Sequence, residues 1–292
     1  MLSEFVALLG SPNVGKSTLI NALVGRKIAI VTKKPQTTRT RIVGVYTTPE
    51  FQIVFVDTPG IHTAKNKLSE YMVKTAETAS RDVDVNVFVV DAKIGIGERD
   101  QEILSKLPRS VPLIIVINKV DAVDKTRLAH VKEQAEQYGS EILELSAKEG
   151  IGVGSLVEAL KPYLKEGPQF YPEDMITDQP TEVLASEIIR EKALKSIGKE
   201  IPYGIGVEIE KFQKEENRDL YHIEAVLYLE RDSHKKIVIG AGGQKLKKIG
   251  TAAREDLQEL LGSKVFLKLW VKVKADWRNK QGFLRSLGYH AD

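Results

Sequence analysis

A chain of 292 residues has room for two domains of ordinary size, and its 42% hydrophobic and 28% charged residues suit a soluble globular protein. The absence of cysteine excludes a disulfide, a cysteine-ligated zinc site and a thiol nucleophile. The longest apolar run, about Val111–Ile117, is far below the ~20 residues that span a bilayer, and no Lys or Arg precedes the apolar Phe5–Leu9 to make a secretory signal. A net charge of +3 says little by itself, but Ser233–Lys280 holds 12 Lys and Arg against 4 Asp and Glu, a local excess of +8. A basic run of this kind is either a solvated face or a nucleic-acid footprint.

Strand-like apolar runs occur at Phe5–Leu9, Ile53–Val56, Val85–Val90, Leu113–Ile117 and Ile142–Leu145. Helical patterns lie between several of them, at Lys16–Val24, Leu68–Ser80 and Ser155–Leu164. Runs this apolar suit strands buried on both faces, and the alternation predicts an α/β doubly wound, mostly parallel sheet. Arg41–Thr47 would be an edge strand beside Ile53–Val56. The pattern ends near Leu164. The polar, two-proline stretch from Lys165 to Asp174 reads as the start of a linker. Residues 1–166 thus form one domain, 167–180 the linker and 181–292 a second domain. That second domain is predicted as a helix over Thr181–Glu200, opened by a partial capping box at Thr181. Strands follow at Gly206–Gln213 and Tyr221–Glu230, then a helix at Gln244–Leu261 and a strand at Val265–Val273, making an α+β unit with three strands. Lys235–Ile239 reads as strand by propensity. Trp270 and Trp277 read as core and helix-packing residues.

Gly10-Ser-Pro-Asn-Val-Gly15-Lys16-Ser17 follows a strand and opens a helix, as a phosphate-binding loop requires. Its glycines let successive N–H groups face phosphate oxygens, and the helix N-terminus adds its positive dipole end. The phosphate set is Gly10, Asn13, Val14, Gly15, Lys16, Ser17 and Thr18, with Gly60 as a γ-phosphate sensor. Asp57-Thr58-Pro59-Gly60 ends the second apolar run, where a carboxylate can hold Mg²⁺. Asn118-Lys119-Val120-Asp121 ends another; its Asp can accept from guanine N1–H and the exocyclic amine, a donor pair that adenine lacks. Ser146-Ala147-Lys148 ends the next, where backbone amides can meet guanine O6. Four motifs at the carboxyl ends of strands lie where open α/β sheets bind ligands. Between the first helix and the edge strand, Gln36, Thr37, Thr38, Arg39 and Thr40 form a nucleotide-sensing segment. Thr38 is taken as the Mg²⁺ hydroxyl beside Ser17 and Asp57, with Thr37 and Thr40 as alternatives. Ile61 stands where Ras-like enzymes carry a water-orienting Gln, so hydrolysis should be slow or use another device.

On these motifs, on Pro35-Gln-Thr-Thr-Arg39 and on Val238-Ile-Gly240-Ala-Gly-Gly243-Gln-Lys-Leu-Lys-Lys-Ile-Gly250, the whole chain resembles the Era family of bacterial GTPases. The resemblance implies Mg²⁺-dependent GTP hydrolysis to GDP, with Asp57, Thr58, Pro59, Gly60 and Ile61 as a second switch. In relatives, a potassium ion sits at the position of Asn13. The resemblance makes the second domain a type II KH domain, with a short helix over Lys235–Ile239, whose GxxG loop clamps about four nucleotides of single-stranded RNA. Gly240, Ala241, Gly242 and Gly243 would be that loop, with Lys235, Lys236, Lys245 and Lys248 neutralising phosphates. Its middle residues, Ala241 and Gly242, depart from the Lys or Arg common in such loops. The implied partners are the 3′ end of 16S ribosomal RNA and the small (30S) ribosomal subunit. A monomer in the cytoplasm is expected, with a peripheral membrane contact as an added option. The competing reading is a GTP-dependent scaffold for RNA or membrane with negligible hydrolysis.

Overall fold

A computed structural model describes the chain except residues 33, 35–36, 61–65, 80–81, 140, 199–203 and 290–292. It divides into two compact units, Met1–Lys65 with Ser69–Asp178, and Asn66–Leu68 with Gln179–His290.

The first unit runs β1 (Leu2–Leu9), α1 (Lys16–Val24), β2 (Ile42–Thr47), β3 (Phe51–Asp57), α2 (Lys67–Ala79), β4 (Val85–Asp91), α3 (Glu98–Lys106), β5 (Leu113–Asn118), α4 (Lys125–Glu136), β6 (Glu141–Leu145), α5 (Val153–Leu160) and β7 (Lys165–Glu166). The sheet order is β2-β3-β1-β4-β5-β6, with β7 paired to β1. All pairs are parallel except β2 on β3 and β7 on β1. Strand residues alternate between two cores. Val6, Leu8, Phe55 and Val87 face one that takes Leu19 of α1 and Leu156 of α5, while Ala7, Leu9, Phe88 and Ile117 face another that takes Ile103 of α3 and Val131 of α4. Apolar side chains are needed on both faces, which is why the strand runs lack polar alternation.

The expected linker 167–180 is largely not free, because residues through Asp178 belong to the first unit. Buried Gln52 clamps the segment: its Oε1 accepts from the amides of Phe170 and Tyr171, each at 3.0 Å, and its Nε2 donates to Tyr171 O at 2.9 Å. The Val45 amide donates to Ile176 O at 2.9 Å, and the Phe5 and Phe170 rings lie 4.6 Å apart. Prolines keep the segment out of regular structure, but its aromatics cover one face of the sheet.

The second unit runs α6 (Thr181–Ser196), β8 (Gly206–Lys214), β9 (Leu220–Leu229), α7 (Asp232–Ile239), α8 (Gln244–Leu261), β10 (Lys264–Val273) and α9 (Gln281–Ser286). Its sheet order is β10-β9-β8, with β8–β9 antiparallel and β9–β10 parallel. Ile223, Ala225, Leu227 and Leu229 of β9, Ile189 of α6, and Ile249, Ala253 and Leu257 of α8 are all buried. Pro180 holds the N-cap position of α6 with no side-chain cap, so Thr181 is the first helical residue and no capping box forms. Lys235–Ile239 is helical, against its strand propensity: the helix buries Val238 and leaves Ile237 exposed. Trp277 is fully buried, its Nε1–H donating to Gly204 O at 2.9 Å, but Trp270 is 39% exposed on β10 and is not a core residue.

Candidate nucleotide site and nucleic-acid interface

The loop between β1 and α1 turns through left-handed residues at Asn13 (φ 67°) and Gly15 (φ 107°). A Cβ on Gly15 would come within 2.2 Å of Asn118 Nδ2, so only glycine lets the loop lie this close to the β5 end. Lys16 is 6% exposed, and its Nζ donates to Gly10 O at 2.9 Å and Ser11 O at 3.2 Å. Burial lowers its pKa, opposed by the charges of Asp57 and Asp100. Val14 is buried and Thr18 half-buried.

Ser17 Oγ donates to Asp57 Oδ2 at 2.7 Å and lies 2.8 Å from Thr38 Oγ1. Asp57 is fully buried, and its Oδ1 has no hydrogen-bond partner. Burial pushes its carboxyl up to about 6, against the pull of Lys16, Ser17, Thr38 and the Thr58 amide. Three converging hard oxygen donors, one with an unpartnered lone pair, fit Mg²⁺ in ligand type. Thr37 is oriented elsewhere, donating to Lys34 O at 2.6 Å. Arg39 is buried and Thr40 half-buried. Thr58 donates to Leu8 O at 3.0 Å, Pro59 is buried, and a Cβ on Gly60 would meet Pro12 at 3.0 Å. Gln36 and Ile61 lie outside the described residues.

Asn118 ties three segments together. Its Nδ2 donates to Val14 O at 2.9 Å, and its Oδ1 accepts the Lys119 amide at 2.8 Å and the Ala147 amide at 3.0 Å. Lys119, left-handed at φ 67°, donates from Nζ to Asn13 O at 2.6 Å and to Asp91 Oδ2 at 2.5 Å. Exposed Asp121 accepts the buried Ser146 hydroxyl at 2.5 Å on Oδ1, and Lys148 extends outward to Glu149. Sequence reading passed over Asp91 and Asp100. Asp91 follows the Val85–Val90 run directly, and Asp100 stands three residues after Gly97 at the start of α3; both positions are visible signals.

In the second unit, α7 ends at Gly240 (φ 73°), Gly242 and Gly243 are left-handed at φ 56° and φ 78°, and α8 begins at Gln244. A Cβ on Gly240 would meet Lys245 Cβ at 2.8 Å, while one on Gly242 or Gly243 would meet open space. Ala241 and Gly242 are exposed, as are Lys236, Lys247 and Lys248; Lys235 and Lys245 are half-buried. The loop thus presents bare backbone among lysines.

Residues 5–119 match the family described as 50S ribosome-binding GTPase, and residues 200–278 match the KH domain. GTPase Era of Alkaliphilus oremlandii is 51% identical over 290 residues, covering 98% of each chain. GTPase Era of Clostridioides difficile is 50% identical over 293 residues, covering 99% of this chain and 98% of that one. The chain belongs to the Era family of GTPases. An Aquifex aeolicus Era variant bound to GDP and AlF₄⁻ superposes with a TM-score of 0.95 at 39% identity, covering 100% of both chains. An Era in complex with MgGDPNP and nucleotides 1506–1542 of 16S ribosomal RNA gives 0.95 at 40%, again over 100% of both. As an Era-family enzyme the chain is a Mg²⁺-dependent GTPase, and its fold is the expected P-loop sheet followed by a KH domain. No helix among the described residues is long and apolar enough to cross a membrane.

Proposed function

We propose that this GTPase couples its nucleotide state to binding of the 3′ end of 16S ribosomal RNA and so assists assembly of the 30S subunit. The observation that carries the enzymatic half is the meeting of Ser17, Thr38 and Asp57 around an unpartnered carboxylate oxygen. The RNA half rests on the bare left-handed glycines Gly242 and Gly243 among lysines.

In this reading the amides of residues 13–18 and the Lys16 ammonium receive the β- and γ-phosphates. Ser17 and Asp57 would hold Mg²⁺, which neutralises phosphate charge when bound, and Thr38 would join them from the first switch segment. Gly60 would sense the γ-phosphate, since its lack of a side chain lets the backbone run against Pro12. Asp121 would read guanine, fixed by Ser146, while Lys119 flanks the base and the Ala147 and Lys148 amides face O6. Asn13 would also serve a potassium ion, whose charge takes the part of an arginine finger. Gly240–Gly243 would bring backbone amides to RNA phosphates, with Lys235, Lys236, Lys245 and Lys248 adding counterion release.

The protein would act as a cytoplasmic monomer, with an added peripheral contact at the inner face of the plasma membrane that fractionation tests. The direct experiment pairs phosphate release with crosslinking and sequencing of bound RNA. The expected result is slow GTP turnover, faster in potassium than in sodium, and reads concentrated at the 16S 3′ end. No phosphate release with normal RNA capture would favour a non-hydrolysing scaffold. Equal rates in the two salts would remove potassium.

A further inference from the structure

Side chains from outside the phosphate loop hold it, three of them among the described hydrogen bonds. Asn118 Nδ2 grips Val14 O and Lys119 Nζ grips Asn13 O, both from the segment assigned above to guanine. The third hold comes from a helix with no role so far. Ser11 Oγ donates to Asp100 Oδ1 at 2.6 Å, the short distance of a charge-assisted bond. Asp100 is 6% exposed, and its Oδ2 accepts the Gly97 amide at 3.2 Å, closing the first turn of α3 where a carboxylate also meets the positive end of the helix dipole. Ile103 and Leu104 fix α3 in the core that holds Leu9, Phe88 and Ile117. Asp100 is therefore a rigid post.

The loop needs such a post. Gly10 (φ 134°) and Gly15 (φ 107°) take positive φ as glycine does freely, but Asn13 (φ 67°) between them carries a side chain in the left-handed region, a conformation that its surroundings must hold. Ser11 is also the hinge of the lysine: its own carbonyl and that of Gly10 are the two acceptors of Lys16 Nζ. Pinning the Ser11 side chain pins the carbonyls that aim the ammonium.

We propose that Asp100 is a positioning residue for nucleotide binding, fixing the phosphate loop and Lys16 through Ser11 without touching the nucleotide. This rests on residues 10–17 being the phosphate site.

The test measures release of a fluorescent GDP by stopped flow, and KM and kcat for GTP, on the full chain. Ser11→Ala and Asp100→Ala should each speed GDP release about tenfold, the scale of one lost hydrogen bond to a charged group. The double variant should add less than threefold to the larger single effect, because both remove one link. Ser11→Thr keeps the hydroxyl and should stay within threefold of wild type. KM should rise with release while kcat at saturating GTP changes less than threefold. Asp100→Asn keeps the volume of the side chain and should show an intermediate loss even if Asp100→Ala fails to fold. Unchanged release in Ser11→Ala and Asp100→Asn, or multiplying effects in the double variant, overturns the proposal. A fall in kcat matching the loss in affinity overturns the positioning role too. Lys16→Ala separates the premise: if it keeps wild-type GDP release, the phosphate-loop reading itself fails. If it loses GDP while Ser11→Ala and Asp100→Asn do not, only the role of Asp100 fails.

Discussion

Ser17 and Thr38 meet hydroxyl to hydroxyl at 2.8 Å, across 21 residues of chain. Thr37, one residue away, bonds within its own loop instead. Thr38→Ala should therefore raise the Mg²⁺ concentration needed for half-maximal GTP hydrolysis by about tenfold or more, and Thr37→Ala by less than threefold. A Mg²⁺ titration of phosphate release checks both, and the reverse ranking would assign the hydroxyl to Thr37. Protons compete for the same site. With the Asp57 carboxyl pushed up to about 6, Mg²⁺ affinity of the nucleotide-free site should weaken as pH falls through 6, by up to about tenfold per unit.

Asp121→Asn should shift preference from GTP to xanthosine triphosphate. In the proposed site the carboxylate would accept two donors from guanine, while the amide could donate to the carbonyl that xanthine carries in place of the amine. The Ser146 hydroxyl that now bonds Asp121 Oδ1 can bond the amide oxygen, so the orientation survives. Competition binding with both nucleotides checks it; GTP affinity within a few-fold of wild type would show that Asp121 does not read the base.

Glu4 predicts a pH dependence away from the nucleotide. It is fully buried with both carboxylate oxygens unpartnered, and burial, reinforced by Asp84 and eased by Lys165, raises its pKa from 4.5 to about 8. The fold thus holds this proton more tightly than the unfolded chain does. Its stabilisation is complete below 4.5 and is lost as pH rises toward 8, by up to about 1.4 kcal/mol per unit. Thermal melts from pH 5 to pH 9 should fall less steeply for Glu4→Gln than for wild type. Parallel slopes would mean that Glu4 does not titrate in this range.

Gly243→Asp should cut RNA affinity by more than tenfold and leave GTP binding unchanged. The position is left-handed, φ 78°, so an aspartate there costs about 1 kcal/mol of backbone strain, but its Cβ meets open space and clashes with nothing in the protein. The larger cost would fall on an approaching phosphate, through bulk and negative charge. Wild-type affinity should also drop steeply with salt if, as proposed, the lysines around the loop neutralise phosphates. Fluorescence anisotropy with a labelled 16S 3′-end fragment measures both, and unchanged affinity in the variant would reduce the loop to a turn.

Much of this was legible where local chemistry and tertiary demand agree. Lys16–Val24 and Gln244–Leu261 form as helices over the predicted residues, because each opens on a glycine turn and closes on a left-handed glycine, Gly25 and Gly262. The apolar runs became strands for a similar reason: burial on both faces leaves no other use for them. Trp270 sits on β10 in step with Lys264, Lys268 and Lys272, opposite the inward Val265 and Val271, so its exposure was legible in the strand's alternation although its size suggested the core. Where long-range contacts decide, the sequence was mute. The bond from Ser11 to Asp100 spans 89 residues, and neither residue announces the other. The stretch after Leu164 has loop composition, yet buried Gln52, the Val45 amide and the Phe5 ring hold it in place.

The pairing of β7 with β1 bears on how the protein is made. Leu2 and Ser3 lie opposite Glu166 and Lys165, and Gln52, whose Nε2 also donates to nearby Thr47 Oγ1 at 3.0 Å, finds its remaining partners at Phe170 and Tyr171. At roughly 5–20 residues per second, synthesis delivers those partners about 8–30 s after the first strand leaves the ribosome. During that interval the opening strand has no antiparallel neighbour at its start, and Gln52 Oε1 lacks the two amides that it accepts. The GTPase unit can finish folding only once the ribosome has made the whole of it.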